Sequence, residues 1–260
     1  MRTVASRFRT VLVVLLCGLV FPVVTACSNS GPVLYDYVRV YLNGQGVLGV
    51  SKQDAAPTRI AVYFHGLDNS EKVLIDDAHR ELVDTLVNEG FAVVASNAGG
   101  NVFGNAGSQF DYRELIQFSQ EHYGGPLPMY FIAESMGAVA AANIYAKDPD
   151  VNVLGMVGIS PALDLDSAQP GVQPAIATAF APDSPDTVNP IKFTPEMLEG
   201  NHFGFWASDN DTTVPAHQNA EAFAQKFGAV AEVTVTPCTG EHADPSCMPA
   251  GPILEWLNQL

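Results

Sequence analysis

The sequence predicts an α/β fold: a mostly parallel, twisted sheet with helices on both faces. Short β-rich runs alternate with helical patterns along most of the chain. Most of those runs are nearly continuous apolar stretches, as in strands buried on both faces. Hydrophobic residues make up 47% of the 260 residues and charged residues 15%, so one large core can be buried and disorder is not the default.

The N-terminus is set aside before the fold is read. Residues 1–10 carry Arg2, Arg7 and Arg9 and no acid, and 11–24 are apolar apart from Cys17, Gly18 and Pro22. This is a charged n-region and a short h-region, the layout of a signal peptide. It ends in Val24-Thr25-Ala26-Cys27, which resembles a bacterial lipobox. That resemblance implies cleavage after 26, a diacylglycerol on the Cys27 thiol, a tether over 27–35 and a folded domain over 36–260. The expected location is the outer face of a bacterial cytoplasmic membrane, held by the anchor. Loss of the three arginines takes the formal charge from −16 to −19. So acidic a chain is not expected to bind nucleic acid or to dock electrostatically on anionic lipid. In an exported chain the two remaining cysteines, Cys238 and Cys247, are expected to pair.

The strand runs are 37–42, 60–64, 91–96, 129–133, 153–159, 203–207 and 232–236. Between them, 72–89 places Leu74, Ala78, Leu82 and Leu86 on one face, which predicts a helix. Helices are also predicted over 110–122, 137–147 and 216–227, with a short closing one over 252–258. The segment 160–201 holds seven prolines and little periodicity, and reads as a long loop that could form a small lid. Ligands bind such sheets at the carboxyl ends of strands, so the loops after strands carry the search for chemistry.

Ala133-Glu134-Ser135-Met136-Gly137 falls between a strand and a helix. A serine on so sharp a bend projects its hydroxyl above the sheet, and the residues two positions away on either side must be small. The N–H of Met136, at the helix start, can point at a developing oxyanion. A serine hydroxyl is a weak nucleophile, so a base and an orienting acid are needed. The base expected is His242, in the loop after the last strand and between the two cysteines. The acid should follow the strand before it, where Asp209 and Asp211 both stand. Asp211 is favoured because Asp-x-x-Val-Pro sets it just before the next helix, and Asp209 is the reserve. The Tyr63-Phe64-His65-Gly66-Leu67 junction offers a second oxyanion donor, the Leu67 N–H, with His65 shaping the turn.

Serine, aspartate and histidine thus follow one another in chain order. Together with the His-Gly turn, the serine elbow, Asp-x-x-Val-Pro and the late Gly-x-His, they resemble the α/β-hydrolase superfamily over roughly 36–260, and more narrowly the exported serine hydrolases of actinobacteria. The resemblance implies about eight strands with the second antiparallel, little or no cap, and no cofactor. It also implies Ser135 as nucleophile, His242 as base and acid, Asp211 as its orienter, and Met136 and Leu67 at the oxyanion. Ala133, where the family usually has glycine, is the visible departure. The implied activity is hydrolysis of carboxylic esters in a small molecule, lipid or cell-envelope component. An acyltransferase with the same triad and a non-catalytic binding lipoprotein are the alternatives. The glycine-rich loop 96–105 has Asn105 where a phosphate loop needs lysine, and is expected to wall the cleft. Asp164 and Asp166 lack the rest of a calcium loop, and no Cys/His spacing suits zinc, so no metal is expected.

Overall fold

The computed structural model describes residues 34–260. The predicted signal segment 1–26, with Cys17, and the predicted lipid-carrying Cys27 lie outside the described residues. Eight strands form one sheet: β1 (Tyr35–Leu42), β2 (Gln45–Lys52), β3 (Arg59–Phe64), β4 (Phe91–Ser96), β5 (Met129–Glu134), β6 (Val153–Ile159), β7 (His202–Ala207) and β8 (Glu232–Pro237). Their order is β1-β2-β4-β3-β5-β6-β7-β8. Strand β2 is antiparallel to both β1 and β4, and every other pairing is parallel.

Side-chain alternation builds two cores. Ile60, Val62 and Phe64 of β3 point into one, with α2 (Ala106–Tyr123), α3 (Gly137–Lys147) and α5 (Ala220–Phe227). Ala61 and Tyr63 point into the other, with α1 (Arg80–Asn88) and α6 (Ala250–Leu257). A strand flanked by both cores has no polar face, which is why the runs read as continuous apolar stretches. Leu82, Val83, Leu86 and Val87 of α1 are all buried, as helical spacing demands of a one-sided contact.

The structure departs from the sequence expectation in four places. The run 45–52 is a strand, hidden in the sequence by Gly46 and Gly49, which lower strand propensity. Its signal was the turn: Asn43 and Gly44 both have positive φ, at 50° and 80°, the geometry of a two-residue hairpin. The predicted helix 72–89 divides into a 3₁₀ turn at Glu71–Ile75 and α1, because Asp76 turns its carboxylate back onto the His79 N–H. The predicted helix 216–227 likewise divides at Asn219, whose side chain accepts from the Leu163 and Asp164 N–H groups. The segment 160–201 is not plain loop. It contains α4 (Gln173–Phe180) and short 3₁₀ turns, and it buries Leu163, Leu165, Ile176 and Leu198.

Strand order fixes where a site can form. The chain runs from β3 to β4 on one side, then returns to place β5 on β3's other side. The loops after β3 and β5 therefore diverge, leaving a crevice at the carboxyl ends of the parallel strands.

Candidate active site

Ser135 occupies that crevice, between β5 and α3, with φ at +49°. A non-glycine residue in this region is strained, and the surroundings hold it there. The Ser135 N–H donates to the Ile159 carbonyl at 3.0 Å, and its carbonyl accepts from Ala162 and Ala138 at 3.0 and 3.1 Å. Gly137 shows why the bend needs small residues. A Cβ there would lie 2.2 Å from the Phe64 carbonyl oxygen and 2.8 Å from that of His65. The crowding comes from the end of β3, not from Ala133, so a methyl at 133 is accommodated.

Ser135 Oγ donates to His242 Nε2 at 2.7 Å, and His242 Nδ1 lies 2.6 Å from Asp211 Oδ2. Asp211 is fully buried, and its other oxygen accepts from the Thr213 and Val214 N–H groups, both at 2.8 Å. Burial pushes the Asp211 carboxyl up. The hydrogen bond from His242, those of Val214 and Thr213 and the charge of His242 outweigh this and hold it below the ordinary range. Asp209 faces away from this chain of bonds: its Oδ1 accepts from the His217 N–H and lies 3.1 Å from His217 Nδ1. The remaining histidines stand outside this chain of bonds. His65 is buried, with its ring nitrogens 2.8 and 3.0 Å from the Gly66 and Asn97 carbonyls, as a turn-shaping residue should be.

His242 sits on a loop tied at several points. Cys238 and Cys247 are disulfide-bonded at its two ends, with Cα atoms 5.0 Å apart. Ser208 Oγ donates to the Gly240 carbonyl, and Thr212 Oγ1 donates to Glu241, joining the acid's loop to the histidine's. The disulfide's effect is testable. A Cys238→Ser/Cys247→Ser variant is expected to lose about 2–3 kcal/mol in urea denaturation, the entropy of a loop this short. Its kcat should also fall, on the order of tenfold, because the imidazole loses one of its restraints.

Leu67 and Met136, the two expected oxyanion donors, line the same cavity as Ser135 and His242. The Leu67 turn is clamped from the far side: the Asp68 N–H donates to Asn101 Oδ1, and Asn101 Nδ2 donates to Asp68 Oδ1, both at 2.7 Å. The glycine-rich loop thus braces the cleft. Gly104 has φ at +72°, and a Cβ there would meet the Ala140 N at 2.7 Å, so this loop packs directly on the backbone of α3. The cavity itself is small, about 80 Å³, and opens to solvent. Its walls are largely apolar, with Phe103, Leu165, Val172 and Ile176 among them, and Asp164 is the acidic side chain that lines it. Among the described residues no cluster of three or more His, Cys, Asp or Glu could hold a metal ion.

Residues 55–226 match the hydrolase family described as "Serine aminopeptidase, S33". The chain belongs to this family. It is accordingly a serine hydrolase, and the match ends before the loop that carries His242. No curated protein matches it in sequence. Solved structures share the fold. An esterase of Pyrococcus furiosus is 16% identical, covering 87% of this chain and 91% of its own, with a TM-score of 0.64. The fluorophosphonate-binding serine hydrolase F of Staphylococcus aureus is 13% identical over 88% and 98%, with a TM-score of 0.64. Esterase 2 of Thermogutta terrifontis, in a form phosphoramylated by tabun, is 14% identical over 86% and 92%, with a TM-score of 0.62.

Two polar residues beside the site were not singled out from the sequence. Glu134 and His79 are both buried and hydrogen-bonded to each other. The sequence did hold a signal for the first, an acid closing an otherwise apolar strand.

Proposed function

We propose that this serine hydrolase cleaves neutral carboxylic esters through Ser135, His242 and Asp211. The observation that carries the reading is the unbroken hydrogen-bond chain from Ser135 Oγ to a fully buried carboxylate, opening on an apolar cavity. As Oγ attacks the ester carbonyl, its proton passes to His242 Nε2. Asp211 holds the imidazole in the tautomer that can accept there and stabilises the imidazolium formed. The oxyanion is met by the Leu67 and Met136 N–H groups and by the positive end of α3. His242 then protonates the leaving alcohol. Water enters, gives its proton to the same nitrogen and attacks the acyl-enzyme, and His242 returns that proton to Ser135 Oγ as the acid leaves. Membership in a family described by its aminopeptidases leaves peptides as the competing substrate. The apolar lining of Phe103, Leu165, Val172 and Ile176 favours an acyl chain, and Asp164 is the lining group that would suit a charged amino terminus.

The same proposal extends to location. The Ala26-Cys27 lipobox supports a lipid anchor, and β1 begins only eight residues after Cys27.

A p-nitrophenyl ester series from acetate to palmitate, run beside aminoacyl p-nitroanilides, tests the substrate class. The enclosed cavity is small, about 80 Å³, so short chains are favoured: kcat/KM is expected to be highest from acetate to butyrate and to fall at palmitate. Anilide cleavage faster than every ester would overturn the esterase reading. A fluorophosphonate should attach once per chain, at Ser135.

A further inference from the structure

Strand β1 carries an exposed stripe that the proposed reaction does not use. Among the described residues five large hydrophobic side chains are exposed, and three of them fall within 34–41: Leu34 at 61%, Tyr37 at 51% and Tyr41 at 82%. The other two are Leu67, at the cavity, and Phe110, early in α2. Strand β1 is an outer edge of the sheet, so among the described residues one side of its backbone has no strand beside it. Alternation puts Tyr35, Tyr37, Arg39 and Tyr41 on one face. Tyr35 is half-buried, its hydroxyl donating to Asp84, and its ring centre lies 6.0 Å from that of Tyr37. Tyr41 stands out furthest because it pairs with Gly46, which offers no side chain to pack on. Asp36, the one acid of the strand, is on the opposite face.

A long exposed edge strand invites another surface to cover it. The composition says which. Tyrosines with an arginine between them suit the boundary between lipid headgroups and acyl chains. There each ring keeps an apolar body in the lipid and a wet hydroxyl, and the arginine stem reaches back to the headgroups. Chain length says how near that boundary is. Leu34 stands seven residues after Cys27, a span of at most about 25 Å when fully extended. Topology then places the active end. Strand β2 is antiparallel to both β1 and β4, and β4, β3 and β5 are parallel. So β1 ends, beyond Tyr41, on the same side of the sheet as the loops that carry Leu67 and Ser135. The hairpin after it is tied to the glycine-rich loop: the Asn97 side-chain amide and the Gly99 N–H both donate to Gln45 Oε1 at 3.0 Å.

We propose that Tyr37, Arg39 and Tyr41 of β1, with Leu34 before them, form a membrane-docking surface that lies in the lipid interface to which Cys27 is anchored. This rests on the lipid-anchor reading of Cys27. Docking is apolar rather than electrostatic, so it needs no anionic lipid and suits a chain whose formal charge is −19 once the three arginines of 1–26 are gone from −16. It sets the domain on its β1 edge, with the glycine-rich wall of the cavity toward the membrane.

The test uses the full chain, processed in a bacterial membrane, purified and reconstituted in phosphatidylcholine vesicles with or without bromine on the acyl chains. Bromine quenches a tryptophan that reaches the lipid. Trp206 and Trp256 pack into the core beside α1 and α6 and give the background. Tyr41→Trp is the reporter, and Thr236→Trp, exposed on β8 at the opposite edge of the sheet, is the control. The added fluorescence of Tyr41→Trp should fall by about half in brominated vesicles, and that of Thr236→Trp by less than about a tenth. Tyr37→Trp takes its place if Tyr41→Trp melts well below wild type. An unquenched reporter on a vesicle-bound chain, or equal quenching at both edges, overturns the proposal. So does a cross-linked dimer on the vesicles that Tyr37→Ser/Tyr41→Ser abolishes, which assigns the stripe to a second copy. The mass of the N-terminal peptide reads the anchor separately. A Cys27 without diacylglycerol, in a chain that does not float with the vesicles, refutes the anchor reading and the docking with it. A lipidated Cys27 with an unquenched reporter refutes the docking alone.

Discussion

Ser135→Ala is expected to lower kcat on the order of 10⁴-fold or more, with the melting temperature equal to or above that of wild type. The two halves of this prediction come from different atoms. The loss follows because Oγ is the group His242 Nε2 faces at 2.7 Å, and no other hydroxyl among the described residues hydrogen-bonds to that ring. The retained stability follows because the elbow is held by main-chain bonds, from the Ser135 N–H to Ile159 and from Ala138 and Ala162 to the Ser135 carbonyl. Alanine keeps all three. It also accepts the same φ of +49° at similar strain, and it removes a hydroxyl from a site where only 8% of the residue is exposed. Sites arranged for function commonly gain stability when the functional group is deleted. Calorimetry and initial rates on one short ester read both halves. A folded Ser135→Ala chain that retains more than a few per cent of wild-type kcat would exclude Ser135 as the nucleophile.

The sheet and the elbow were legible in the sequence because each depends on local pattern. Strands such as 91–96 and 153–159 are buried on both faces, and an unbroken apolar run says so directly. The bend at Ser135 was legible through Gly137, although the atoms that exclude a larger side chain belong to β3, more than seventy residues earlier. The strand 45–52 was missed because glycines diluted its apolar pattern, while the Asn43-Gly44 turn that closes the hairpin was there to be read. The helical breaks at Asp76 and Asn219 were not legible by periodicity. In each case a polar side chain bonds a backbone group in preference to continuing a helix, and for Asn219 the partner lies across the fold. The pairing of Glu134 with His79 could not be read at all. It spans fifty-five positions and exists only because β5 settles beside β3.

The two aspartates of the loop after β7 could be ranked from the sequence but not separated, and the structure makes the distinction sharp enough to test. Asp211→Asn is expected to reduce kcat on the order of 10⁴-fold, and Asp209→Asn by no more than a few-fold. Asparagine at 211 can still accept the Thr213 and Val214 N–H bonds through its carbonyl, so the loop keeps its shape. Its NH₂, however, would face His242 Nδ1 as a donor. The imidazole then carries its proton on Nε2, where it cannot take one from Ser135. Among the described residues Asp209 bonds to His217, at the surface, where an amide serves nearly as well. The pH dependence of stability reads Asp211 independently. The folded Asp211 carboxyl lies below its ordinary range, so it contributes stability above about pH 4, the unfolded value, and that contribution is lost as pH falls through the folded one. Asp211→Asn removes the contribution, so denaturation curves between pH 7 and pH 3 should show a shallower acid decline than wild type. If the two variants exchanged their effects on kcat, the acid of the triad would be Asp209, and the loop would have to reorganise in solution to bring it to His242.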